Sequence, residues 1–379
     1  MVPKEYYGRL FTKEQLPVNY HPEALTLEGM IKVDKQLRCK RCYSWIEEDW
    51  QLPGGQYYCR ACIVFGRNQE GKELYYFPSK TSEIEFPVLK WFGELTPYQA
   101  KVSEKLLRTY QKQKDSLVHA VTGAGKTEMI YNIVAYVLEN KGHVAIASPR
   151  VDVCRELFLR MKRDFTCSIS LLHAESEPYD GSPLVIATTH QLLKFYQSFD
   201  LVIVDEVDAY PFVGNVMLNH AVEQAKTETG RFIYLTATST LSLEEQVRLG
   251  TLEKHHLARR FHGNPLVLPK LFWQGRLQKS LTRGKLPRPL LYQIKKQRKS
   301  KFPLLIFFPN IAIGEKFTSI LQKYLPDEKM AFVSSKSEKR STIVEKFRKK
   351  ELSILVTTTI LERGVTFPQV DVFVCMANH

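Results

Sequence analysis

Few folds are open to a chain that carries Ala120-Val-Thr-Gly-Ala-Gly-Lys-Thr127 between a short apolar run, 116–120, and a segment of helical periodicity. A strand that turns through glycines directly into a helix aims backbone N–H groups and the positive end of the helix at one spot. Such a spot suits a phosphate. Thr122, Gly123, Ala124 and Gly125 supply the turn, Lys126 has the reach for β- and γ-phosphates, and the Thr127 hydroxyl is a ligand for magnesium. The loop needs a sheet to stand on. The chain supplies one, because strand-like runs at 116–120, 144–148, 184–188, 201–205 and 232–236 alternate with longer helical patterns, the mark of an α/β fold with a parallel sheet. The alternation resumes at 304–308, 330–334, 354–357 and 370–375, as a second α/β domain of the same style that stops at His379 with too few elements, and so reads as truncated.

The domain limits that follow are 1–90 for an N-terminal region of short strands and loops, 91–250 for the first α/β domain, 251–300 for a basic linker and 301–379 for the second. A composition of 44% hydrophobic and 25% charged residues is that of globular domains and argues against disorder. No run nears the roughly 18 apolar residues of a membrane span, and the N-terminus lacks the apolar core of a secretion signal, so the expected compartment is cytoplasmic, without membrane insertion.

Leu201-Val-Ile-Val-Asp205-Glu206-Val207-Asp208 ends an apolar strand in acids, where ligands collect in parallel sheets. Asp205 is the expected partner of magnesium and Glu206 the group that polarises an attacking water; taken alone, the same acids also suit a helix N-terminus. Gln99, ahead of the loop in Leu95-Thr-Pro-Tyr-Gln99, offers an amide donor and acceptor to an adenine edge, or is a surface residue of a helix.

Four of the seven cysteines form two C-x-x-C pairs, Cys39/Cys42 and Cys59/Cys62, at zinc-ribbon spacing. Four thiolates give zinc a closed, structural shell, and a redox pair is the alternative. The expectation is a small module that folds apart from the α/β domains. The aromatic and basic residues around it, Lys40, Arg41, Trp45, Trp50, Tyr57, Tyr58 and Arg60, suit either base stacking or the module's own packing.

Together these segments resemble superfamily 2 helicases. Residues 120–127, 205–208 and Thr236-Ala-Thr238 resemble motifs I, II and III, Gln99 resembles the adenine-reading glutamine, Ser148-Pro-Arg150 and Thr188-Thr-His190 resemble strand-contacting motifs, and Thr357-Thr-Thr-Ile-Leu-Glu-Arg-Gly364 resembles motif V. The resemblance implies tandem RecA-like domains, with ATP and Mg²⁺ between them and single-stranded nucleic acid held by residues such as Arg150, Thr188 and Thr357. The added four-cysteine module makes the chain similar to the ComFA family of competence ATPases. That likeness implies ATP-dependent translocation on single-stranded DNA during uptake of transforming DNA, at the inner face of the membrane beside a channel and a ComFC-type partner. A PriA-like restart helicase is the more distant alternative. The helicase motif VI is expected beyond Pro368 and is not met before His379, which leaves open a DNA clamp without sustained turnover.

The net charge of +14 is concentrated in residues 254–314, which hold 14 Lys and Arg and no Asp or Glu. The block reads either as a polyanion site, with Lys295, Lys296, Arg298 and Lys299 as candidate contacts, or as a solvated linker.

Overall fold

The computed structural model describes residues 2–81, 84–260, 269–273, 275, 277–361, 367 and 369–376. The chain divides into two compact units, Met1–Leu266 and Val267–His379.

The first unit opens with five short strands: β1 (Leu10–Thr12), β2 (Leu25–Glu28), β3 (Met30–Val33), β4 (Gln36–Cys39) and β5 (Glu73–Tyr76). β1, β5 and β2 form an antiparallel sheet, and the cysteine segment is inserted between β2 and β5. β3 and β4 are a hairpin whose turn residues, Asp34 and Lys35, both have positive φ, the backbone twist that tight two-residue hairpins require.

Next come α1 (Pro97–Gln111), β6 (Asp115–Ala120), α2 (Lys126–Met129), α3 (Tyr131–Glu139), β7 (Val144–Ser148), α4 (Val151–Asp164), β8 (Ile169–Leu172), β9 (Leu184–Thr188), β10 (Phe199–Asp205), α5 (Val216–Ala225), β11 (Lys226–Thr236), α6 (Leu241–Arg248) and β12 (Leu252–Leu257). The strands make one parallel sheet in the order β12-β6-β11-β10-β7-β9-β8. Its inner strands carry runs of buried apolar residues because both faces are covered. Leu201 and Ile203 pack with Ile133, Leu157 and Met161 on one side, while Val202 and Val204 pack with Leu218 and Val222 on the other. Each such buried aliphatic side chain contributes roughly 1.5–3 kcal/mol. The strands β8 and β12 escape the sequence pattern because they are the two edges. β12 in particular carries Glu253, Lys254 and two histidines, which an edge tolerates.

The second unit contains α7 (Leu277–Thr282), α8 (Arg288–Arg298), β13 (Leu304–Phe307), α9 (Ile311–Tyr324), β14 (Met330–Val333), α10 (Arg340–Arg348), β15 (Ile354–Thr357) and β16 (Asp371–Val374). Its parallel sheet runs β14-β15-β13-β16. Leu304, Ile306 and Val356 face α9, and Leu305, Val333 and Leu355 face Phe347 of α10.

The basic linker expected over 251–300 is corrected here. Its start is the edge strand β12, and its end is two helices that, with the turn between them, bury Leu277, Leu281, Leu286 and Ile294 in the same cluster as Leu304 and Phe317. The dense charge occupies the solvent side of α8 and hides the helical spacing of the few apolar residues. Of the motif V segment, residues 362–364 lie outside the described residues.

Ile294 is fully buried, so Ile294→Ala should cost about 2–5 kcal/mol in urea unfolding of the second unit. A solvated linker would lose nothing at this position, and an unchanged midpoint would restore that reading.

Candidate nucleotide site and cysteine centre

Motif I sits between β6 and α2 as expected. Gly123 and Gly125 have φ of 78° and 74°, in the left-handed region where a side chain is strained. A Cβ on Gly125 would come within 2.3 Å of Gln99 Nε2. That proximity shows where Gln99 is: buried in the first turn of α1, it accepts from the Thr96 N–H and hydroxyl, both at 2.9 Å, and donates through Nε2 to Ala124 O, also at 2.9 Å. In this structure the amide expected to read adenine ties α1 to the phosphate loop. Lys126 Nζ donates to Ala120 O at 3.2 Å, a weak internal anchor that leaves donor capacity for a phosphate. Thr127 follows it at the start of α2, half-buried, and Thr122 is exposed at the front of the loop.

The acids arrive from β10, which is separated from β6 only by β11. Burial pushes the Asp205 carboxyl above its ordinary range, and the charge of Lys126 opposes that shift. A metal dication would favour the ionised form, so the donor set suits magnesium. Asp208 accepts from the Thr236 hydroxyl at 2.7 Å and from that of Thr238, which locks motif II to motif III at the end of β11. Glu206, at φ 55°, pairs with Arg150 across 3.5 Å between Oε2 and Nε.

The expected nucleic-acid residues are dispersed. Arg150 and Thr188 lie at the carboxyl ends of β7 and β9 in the first unit, Thr188 being buried. Thr357 and the α8 cations belong to the second unit. Thr357 is fully buried and its hydroxyl donates to Thr358 O at 3.2 Å, so it is not the surface contact expected of it. Arg298 is likewise corrected: it pairs with Glu328 at 2.8 Å, donates to Phe302 O at 2.6 Å and is 12% exposed, a packing role rather than an open cation. Lys295, Lys296 and Lys299 are exposed.

Sequence reasoning misses two arginines. The Arg260 side chain lies beside Gly123, 3.7 Å from where a Cβ would be, and its buried Nε has no partner among the described residues. Arg259 donates to the Tyr98 hydroxyl at 3.1 Å and lies over its ring at 4.7 Å. Only the acid-free charge block hints at either, and it does not say that β12 would carry them to the phosphate loop.

The four cysteines are fully buried and their sulfurs all lie within 4.8 Å of one another. Cys39 to Cys62 is 3.7 Å and Cys42 to Cys59 is 3.5 Å. The edge of a zinc–thiolate tetrahedron is about 3.8 Å for Zn–S bonds near 2.3 Å. Asn68 Nδ2 donates to Cys39 Sγ at 3.2 Å, and hydrogen bonds from Cys42 and its neighbours hold the Cys39 thiol far below the usual thiol range. Arg41 is fully buried in the same knuckle, donating to Phe65 O and Gly66 O at 2.9 and 2.7 Å, with Nε and Nη2 unpartnered among the described residues. A buried cation without an acid beside it fits a site whose thiolates carry the compensating charge. The residues therefore suit zinc.

The module does not stand apart from the core. Tyr43 stacks on His220 of α5 at 4.7 Å, His220 Nε2 donates to Lys40 O at 3.0 Å, and the cysteines share an apolar cluster with Leu218 and Val222.

A parallel sheet whose strand ends gather a phosphate loop, two acids and a threonine-locked motif III defines a helicase-type ATPase core of superfamily 2. Residues 96–246 match the DEAD/DEAH box helicase family and 286–378 the helicase conserved C-terminal domain. The chain is 55% identical to the competence protein ComFA of Streptococcus pneumoniae (strain ATCC BAA-255 / R6), over 99% of this chain and 87% of that one, and 34% identical to ComFA of Bacillus subtilis (strain 168), over 95% and 79%. It belongs to the ComFA family. Among solved structures, S. cerevisiae Dbp5 bound to RNA and ADP BeF3 shares the fold at a TM-score of 0.53 and 14% identity, over 73% of this chain and 78% of that one. Mycobacterium smegmatis helicase Lhr bound to ssDNA and AMP-PNP does so at 0.53 and 18%, over 75% and 42%.

Purified protein should contain one zinc per chain, and Cys42→Ser should lose it. Because the cysteines and α5 share a core, the loss should also lower the melting temperature of the first unit, not only loosen residues 1–90; structural zinc contributes roughly 10–16 kcal/mol of apparent binding energy in small modules. A zinc-free variant with an unchanged melting curve would contradict this packing.

Proposed function

We propose that this chain is an ATP hydrolase that couples turnover to movement along single-stranded DNA during uptake of transforming DNA. The observation that carries the reading is the convergence of Lys126, Asp205 and Glu206 at the ends of β6 and β10 in a chain of the ComFA family. The loop from Thr122 to Thr127 wraps the phosphates with its N–H groups, and Arg260 adds a cation beside Gly123. Gln99 holds the loop's backbone in place. Thr127 and Asp205 hold magnesium, which neutralises charge on the phosphates when bound. Glu206 orients the attacking water and takes its proton.

On this reading the DNA lies on residues such as Arg150, with exposed lysines of α8 pairing with phosphates irrespective of base sequence. Partners are a ComFC-type protein and a DNA channel at the cytoplasmic face of the membrane. Among the described residues no helix is long and apolar enough to cross a membrane.

Lys126→Ala should abolish ATP turnover with an unchanged melting curve, whereas Glu206→Gln should retain ATP binding with magnesium and lose hydrolysis. Rates equal to the parent in both, measured by phosphate release with and without single-stranded DNA, would remove the motor reading.

Converting Lys295, Lys296 and Lys299 together to Gln should flatten the dependence of log affinity on log salt by about 0.7 for each DNA phosphate that these lysines neutralise in the parent. An unchanged slope in a salt titration against labelled oligo(dT) would place α8 away from the strand.

A further inference from the structure

Glu206 and Arg150 come from motifs with different duties, one serving the γ-phosphate and the other the strand, yet they form an ion pair. The pairing follows from topology. β7 and β10 are hydrogen-bonded neighbours in parallel register, Ala147 beside Val204, so the turns leaving them, Ser148–Arg150 and Asp205–Glu206, emerge side by side. Both side chains are largely withdrawn from solvent, at 26% and 19% exposure, where screening is weak and the attraction is felt. The Glu206 backbone is in the left-handed region, so the carboxylate is aimed by the fold as a whole.

We infer that Arg150 is a positioning residue that couples strand binding to Glu206. In hydrolysis the water oxygen bonds to the γ-phosphorus, the bond to the β-phosphate oxygen breaks, and the water's proton goes to a Glu206 oxygen. A guanidinium beside that carboxylate favours its ionised form, which opposes uptake of the proton, and holds the side chain toward Arg150. A DNA phosphate competes for the same guanidinium with better geometry. It offers two oxygens to the planar fork of N–H donors, whereas Arg150 now meets Glu206 through Nε at 3.5 Å. When the strand takes Arg150, Glu206 is released to act as base. The inference rests on the proposed DNA-coupled ATPase and specifies how the strand reaches the chemistry.

Linkage is reciprocal. If a phosphate frees Glu206 by taking Arg150, then neutralising Glu206 frees Arg150 for a phosphate. The test is a double-mutant cycle in the full chain: anisotropy of labelled oligo(dT) without nucleotide, for the parent, Glu206→Gln, Arg150→Ala and the double variant. Glu206→Gln should tighten binding about fivefold or more in the parent background, and not at all in the Arg150→Ala background. In ATPase assays Arg150→Ala should raise DNA-free turnover several-fold with KM for ATP unchanged and should flatten stimulation by DNA, and Arg150→Lys should restore part of the stimulation. A rise in basal rate is not something structural damage produces. Equal tightening in both backgrounds, no tightening in either, or a lower DNA-free rate in Arg150→Ala would overturn the coupling. A parent that neither binds oligo(dT) nor responds to it overturns the proposed function itself, and the coupling with it.

Discussion

Burial of the seven-stranded sheet on both faces is the condition on which the rest of the first unit depends. Leu201 and Ile203 point to one layer of helices, Val202 and Val204 to the other, and all four are fully buried. Over its buried middle, residues 201–204, such a strand carries no polar side chain. Its chemistry is displaced to its end, where Asp205 and Glu206 follow without interruption. β6 likewise buries Leu117, Val118 and Ala120 and then opens into the phosphate loop. Parallel strands put both ends on one edge of the sheet, so the site is a consequence of how the core is filled.

Charge at that edge is arranged in opposed pairs rather than spread. Lys126 faces Asp205 and offsets part of the cost of burying it, Arg150 faces Glu206, and the Asp208 carboxylate is met by the hydroxyls of Thr236 and Thr238. In a half-buried setting an isolated carboxylate is costly, so each acid holds its position through a partner from another segment of the unit. These partners also connect motifs that lie far apart in the chain. Arg260 is the exception, a cation laid against the phosphate loop with no acid beside it among the described residues.

The cysteine centre is tied into this framework more closely than a tethered zinc module would be. Its sulfurs are packed against the α5 side of the sheet, and Tyr43 and Lys40 both engage His220. α5 is the first α-helix after the motif II acids, so the cysteine centre braces the element that follows them. The insertion of the cysteine segment between β2 and β5 holds the module at both ends, with β5 paired to β1 and β2.

What the sequence alone determined was everything carried by local chemistry: the phosphate loop, the acids after an apolar strand, the spacing of the thiols and the inner strands, 144–148 and 184–188 matching β7 and β9 to the residue. Those signals are local because sterics, backbone hydrogen bonding and two-faced burial act on neighbouring residues. The edge strands β8 and β12 were not legible, since an edge is defined by what is absent beside it. The segment of α7 and α8 reads as a linker because its charge masks Leu277, Leu281, Leu286 and Ile294, whose partners, Leu304 and Phe317, come later in the chain. Only the tertiary structure could decide which polar groups meet. The pairing of Arg150 with Glu206 depends on β7 lying next to β10, that of Arg298 with Glu328 on the packing of α8, and that of Gln99 with Ala124 on α1 returning to the loop. Each joins residues distant in sequence, and side-chain electrostatics acts through space, along a path that residue order does not encode in any local pattern.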